Sequence, residues 1–200
     1  MRWDNLFDDL EGQLEQELQS EELDLRAEEE RLRLGRMAVR DRLVALHGSE
    51  RRHALYSVRV QLTDGSIVDV RPATIGRDWL SADLVLESTV PTQCILPFSA
   101  IGALLFTRSQ VLRSVTATAQ PETERGLAAR LTLSFVLRDL CRRRASVELR
   151  LRSSTATGTI DRVGRDHLDL AVHEPSSPRR ESAVSGYSVI PFSEILLVRV

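Results

Sequence analysis

The sequence contains no lysine; all 27 of its basic side chains are arginine. That usage fits a GC-rich genome, whose codons favour arginine, so the arginine count alone says little about nucleic acid. Cysteine occurs only at Cys94 and Cys141, too few for a disulfide framework or a structural zinc site. Both are expected to be reduced, buried, apolar fillers. The longest apolar runs, "IGALLF" and "EILLVRV", fall far short of the roughly 18 residues that a membrane-spanning helix needs. The opening "MRWDNLFDDLEG" is acidic and lacks the basic-then-apolar order of a signal peptide. The expected location is therefore the cytoplasm, with no membrane association. There is no G-x-S-x-G elbow, no glycine loop built to cradle phosphate, and no Cys–His pair on a recognisable scaffold. These absences argue against an enzyme, with no catalytic, cofactor-binding or metal-binding residue assigned.

What is present suits a folded chain: 200 residues with 42% apolar content are enough for one or two cores. Charge is unevenly spread. Residues 1–34 carry 12 acidic and 4 basic side chains, net −8, which leaves the rest at +6 of the total −2. From Trp3 to about Leu46 the apolar spacing is helical, with Leu18, Leu25, Leu32, Val39 and Leu46 seven residues apart. Glu21, Glu28 and Gly35 occupy the second row that a coiled coil would want apolar. A narrow-striped acidic helical arm over residues 1–47, broken near Gly12 or Gly35, is predicted.

Beyond Leu55 the period becomes two. Val58, Val60 and Leu62 share a face, Asp64-Gly65 supplies a hairpin turn, and "SIVDVRP", "WLSADLVLE", "TQCIL" and "PFSAIGALLF" follow as further strands. Residues 54–107 thus read as one small antiparallel unit. Residues 122–144 return to helical spacing, with Thr123 as the cap and Arg138, Arg142, Arg143 and Arg144 gathered in the last turn. Residues 145–200 then repeat the unit: "SVELRLR" answers "SVRVQLT", "GRDHLDL" answers "GRDWLSADL", and "VIPFSEILLV" answers "ILPFSAIGALLF". The G-R-D blocks are 164 − 76 = 88 residues apart and the P-F-S blocks 191 − 97 = 94. The extra residues fall in "EPSSPRRESAVSGYS".

A helix followed by five short, bent antiparallel strands resembles the Sm-like fold, the small β-barrel of Sm proteins and bacterial Sm-like RNA chaperones. "LTDGSIV" and "GRDWL" are similar to the first half of the Sm signature, and the likeness spans residues 36–106 and 123–200. The layout is also similar to that of proteins from high-GC Gram-positive bacteria. The resemblance implies two tandem five-stranded antiparallel barrels, each preceded by a helix, in a mainly β fold with the acidic helix in front. Sm proteins hold uridine with an asparagine after the G-x-D turn and a basic-glycine pair before the last strand. Here Ser81 and Asp169 follow the turns and P-F-S precedes both last strands, so the uridine-binding residues are not carried over.

Six positions read as structural turns: Gly65, Gly76, Asp78, Gly158, Gly164 and Asp166. Gly76 and Gly164 are expected at positive φ, with Asp78 and Asp166 accepting local backbone amides. A binding surface is sought at Trp79 with Arg77, at Arg165 and Tyr187, and along Arg142, Arg143 and Arg144. By parity Trp79 points away from the interior of the first unit. There it would stack a base, anchor a peptide, or pack under a helix or against the other unit. His167, Asp169 and His173 share a face but read as solvated. The expected role is a non-catalytic adaptor with a protein partner; nucleic acid is the alternative, and free strand edges would allow homo-oligomers.

Overall fold

The computed structural model describes residues 4–50, 56–85, 92–116, 126–174 and 183–200. Two compact units divide at Val39 and Arg40. The first consists chiefly of α1 (Asp4–Gly35), a single helix of 32 residues in which Gly12 causes no break. Glutamates and arginines three or four residues apart pair along it, Glu22 with Arg26, Glu28 with Arg31 and Glu30 with Arg33, as neighbours on a helical surface do. Leu14, Leu18, Leu25 and Leu32 are exposed along its length.

The second unit follows α2 (Val39–Glu50) with strands β1 (Val58–Leu62), β2 (Ile67–Ile75), β3 (Trp79–Leu84), β4 (Thr92–Pro97) and β5 (Ile101–Leu105). Helices α3 (Arg108–Thr116) and α4 (Leu133–Arg142) come next. Strands β6 (Ser146–Leu151), β7 (Thr155–Val163), β8 (His167–Val172), β9 (Gly186–Pro191) and β10 (Ile195–Arg199) complete it. Alternation decides the strands: Val58, Val60 and Leu62 of β1 are buried while Arg59 is exposed. Gly65, at φ 85, makes the β1–β2 turn, and Asp64 accepts from the amide and hydroxyl of Ser66 across it. Among the described residues no helix is long and apolar enough to cross a membrane.

All ten strands form one antiparallel sheet, ordered β5-β1-β2-β3-β4-β10-β6-β7-β8-β9. Two separately closed barrels were expected; instead, among the described residues, no ladder joins β4 to β5 or β9 to β10. The pairing of β4 with β10, Ile95 opposite Val198 and Cys94 opposite Arg199, runs the two halves together. Within each half the order is the same, fifth strand, first, second, third, fourth. Both second strands bulge, between Pro72 and Thr74 and between Ile160 and Arg162. A bulge is where an interior strand accommodates a proline that cannot donate to the ladder.

Two cores lie on the sheet and exchange residues across the β4–β10 seam. Leu43 and Leu46 of α2 join Val58, Val60, Leu80 and Leu96 in the first, which also takes Leu196 and Leu197 from β10. Leu133, Leu137 and Leu140 of α4 join Val147, Leu149, Ile160 and Leu168 in the second, which takes Trp79 and Ile95 from the first half.

Two helical expectations need correction. Residues 127–130 form a single 3-10 turn and α4 begins only at Leu133; the Thr123 cap lies outside the described residues. The second is α3, where the sequence analysis places no helix. Its signal was present as "TRSQ": Thr107 Oγ1 accepts from the Gln110 amide at 3.3 Å while Gln110 Oε1 accepts from the Thr107 amide at 3.0 Å, a reciprocal capping box.

Burial removes Cys94 from thiolate chemistry. Its thiol pKa is pushed up to about 11, first by desolvation and then by the nearby Asp83 charge. Cys141 is only half-buried and donates to the Asp161 carbonyl at 3.3 Å. The thiolate is the reactive form, so alkylation of the native protein at pH 8 is expected to label Cys141 and spare Cys94 until denaturant is added. Peptide mapping that found Cys94 labelled first would contradict this.

Candidate assembly surface

The two G-R-D corners share one backbone. Gly76 N–H donates to the Trp79 carbonyl at 2.8 Å and Phe98 N–H to the Asp78 carbonyl at 2.9 Å; Gly164 to His167 at 2.9 Å and Phe192 to Asp166 at 2.8 Å repeat them. Neither glycine has the positive φ expected of it, since among the described glycines only Gly65 does. Space is the reason instead. A Cβ on Gly76 would sit 2.3 Å from the Trp79 indole, and one on Gly164 2.6 Å from the His167 imidazole.

The first corner holds the start of α4. Arg77 N–H and Trp79 Nε1 both donate to the Leu131 carbonyl, at 3.1 and 2.9 Å. Asp78 Oδ1 accepts the Leu133 amide at 2.7 Å. That amide is one of the four that a helix cannot satisfy internally, and a carboxylate there also complements the helix dipole. Asp78 thus caps a helix 55 residues ahead and not a local amide. On the other side, Arg40 Nε donates to the Gly76 carbonyl at 2.7 Å. Trp79 does point away from the first core, but what lies there is the second core; it is 6% exposed and stacks nothing from solvent.

At the second corner, Arg138 Nη2 lies 3.4 Å from the Gly164 carbonyl. Arg165 and Asp166 are exposed. Asp166 does not cap a helix; its Oδ1 sits 2.8 Å from His167 Nδ1, and that hydrogen bond holds the carboxyl below its ordinary range. Beside this corner runs β9, "GYSVIP", which carries no charge and, among the described residues, pairs on one side only, with β8. Tyr187 and Val189 on it are 65% and 69% exposed.

The arginine run is occupied by carboxylates. Arg142 and Arg143 both pair with Asp139, and Arg144 pairs with Asp161 at 3.0 Å. Arg144 also closes α4 at φ 53, where the Ala145 amide reaches back to the Leu140 carbonyl at 3.1 Å. That left-handed closing position ordinarily belongs to glycine. Arg144→Gly is expected to raise stability by about 0.5–1 kcal/mol, the strain of roughly 1–2 kcal/mol for a left-handed non-glycine residue less the about 0.5–1 kcal/mol that glycine's backbone freedom costs, since an ion pair with a largely exposed arginine is worth little. An unchanged or lower melting temperature would count against that account.

His167 and His173 do not converge. His173 is buried, its Nε2 2.8 Å from Thr159 Oγ1 and its Nδ1 2.9 Å from the Glu174 carbonyl. Since a carbonyl only accepts, Nδ1 carries a proton and is the donor to Glu174. Among the described residues no group of three or more His, Cys, Asp or Glu side chains could hold a metal. No family model, curated protein or solved structure matches the chain. The residues that the sequence missed are Leu131, Leu133 and Val189. Only the last had a signal, since "SVIPFS" sets Val189 where "CILPFS" sets Ile95.

Proposed function

We propose that this protein is a cytoplasmic, non-catalytic adaptor made of two Sm-like units, the second a copy of the first, which binds another protein chain along β9 and the Gly164–His167 corner. One contrast carries the reading. Ile95 in β4 is 6% exposed because β10 and the second core cover it, whereas Val189, its counterpart in β9, is 69% exposed. An uncharged edge strand with open apolar side chains is a template for strand pairing. Neither charge nor proline interrupts β9 before Pro191. The paired state of Arg142, Arg143 and Arg144 speaks against phosphate contact as the main role.

The test uses immobilised full-length protein in host extract, beside a Val189→Arg variant. A protein partner retained by the former and lost by the latter supports the reading; retention by both overturns it. In parallel, mixed-sequence single-stranded RNA is titrated across a salt series starting at about 50 mM. Tight binding that weakens steeply with salt would replace the protein-binding reading with a nucleic-acid one.

A further inference from the structure

We infer that the occupant of the β9 edge is a second copy of this chain, entering with its β5 edge and the start of its α2. The inference rests on reading β9 as a docking surface and adds the partner and the register. The chain contains the template for this contact in its own β4–β10 seam.

The correspondence is residue by residue. From "CILPFS" to "SVIPFS" the shift is 94 residues, so Ile95 answers to Val189 and Cys94 to Ser188. From "FSAIGALL" to "FSEILLVR" the same shift matches Leu104 to Val198 and Leu105 to Arg199. The seam pairs Ile95 with Val198 and Cys94 with Arg199. Repeated between chains, it pairs Val189 with Leu104 and Ser188 with Leu105 of the second copy. Strand β5, "IGALL", is the other end of the sheet, pairs only with β1 among the described residues, and likewise carries no charge.

The helices obey the same shift. Leu137 and Leu140 of α4 are buried in the second core, and Leu43 and Leu46 of α2 in the first, again 94 residues apart. Leu133, the first residue of α4, is 5% exposed because it is seated on the first corner through Asp78. Its counterpart Val39, the first residue of α2, is 53% exposed. The second corner, with Asp166 pointing to solvent, is the matching seat. In the seam, Trp79 and Ile95 complete the neighbouring core; between chains, His167 and Val189 would complete the first core of the second copy. Among the described residues, the corner, edge strand and apolar side chain are thus left open at the β9 end, and the β5 edge and the exposed start of α2 are their complements. Such a head-to-tail contact uses different surfaces on the two copies, so it propagates into a ring or a filament.

Sedimentation of the full-length chain over a concentration series tests this. The wild type is expected to rise above the mass of one chain as concentration increases, and Val189→Arg to remain at one chain. Val189 is exposed, so the variant should keep the wild-type melting temperature. Register is read by Ser188→Cys with Leu105→Cys in a Cys141→Ser background, which on oxidation should give a ladder of interchain disulfides, directly opposed strand positions being close enough to bridge. Neither single variant should give the ladder. A wild type that stays at one chain throughout, or a Val189→Arg variant that associates as well as wild type, overturns the inference. If the wild type is monomeric yet Val189→Arg still loses a partner from extract, the edge is a docking surface but not for a second copy.

Discussion

Trp79→Ala is expected to lower the stability of the Arg40–Val200 body by about 3–5 kcal/mol, the usual cost of deleting a buried indole. For a body of this size that is a fall of roughly 10 °C in melting temperature, at about 2–4 °C per kcal/mol. Three losses combine: the apolar area of a ring only 6% exposed, its contacts with the second core, and the Nε1 bond to the Leu131 carbonyl. Trp79→Phe separates them, since it keeps most of the area and loses the bond; about 1 kcal/mol is expected for it. A surface role for Trp79, in stacking a base or anchoring a peptide, predicts a near-silent alanine variant. A change within about 0.5 kcal/mol of wild type would therefore overturn the packed assignment.

Trp79 also shows where sequence reasoning stops. Parity fixes which way a strand side chain points relative to its own core, and it set Trp79 opposite Leu80. It says nothing of what stands on the far side. That is fixed by Leu131 and Leu133, which reach the corner only when α4 crosses from one half to the other. The β4–β10 seam has the same character. It joins Ile95 to Val198, and no local pattern specifies a pairing over so long a separation. Local devices were easier to read: the Asp64-Gly65 turn needed only residues 62–66.

Gly76 and Gly164 illustrate a subtler failure. A glycine in a tight corner is commonly explained by positive φ, and the sequence invited that explanation. The actual constraint is the ring of the residue three positions on, packed over the Cα. A bare glycine reports that a Cβ is not tolerated, without reporting which neighbour excludes it. Asp78 and Asp166, identical in motif, diverge for a similar reason. One meets a helix amide and the other a histidine on its own corner.

Gly158→Ala is the second large effect expected, about 3 kcal/mol of destabilisation, at the upper end for overpacking. Gly158 was expected at a turn but lies inside β7, paired with Val147 on one side and Val172 on the other. A Cβ there would fall 2.1 Å from the Ala171 carbonyl oxygen and 3.1 Å from the Val172 Cα. Both are backbone atoms of a central ladder, so no side-chain rotation relieves the clash and β8 must shift away from β7. The shift would reach the adjoining Thr159–His173 hydrogen bond, which is buried. Gly126→Ala serves as the control, because nothing lies within 4 Å of its added Cβ. Urea unfolding should show a lowered midpoint with an unchanged slope for Gly158→Ala, and little change for Gly126→Ala. Equal midpoints for the two variants would mean that β7 and β8 are not held at the separation seen here. The exchange of Trp79 and Ile95 into the second core would then lose the rigid sheet on which it depends.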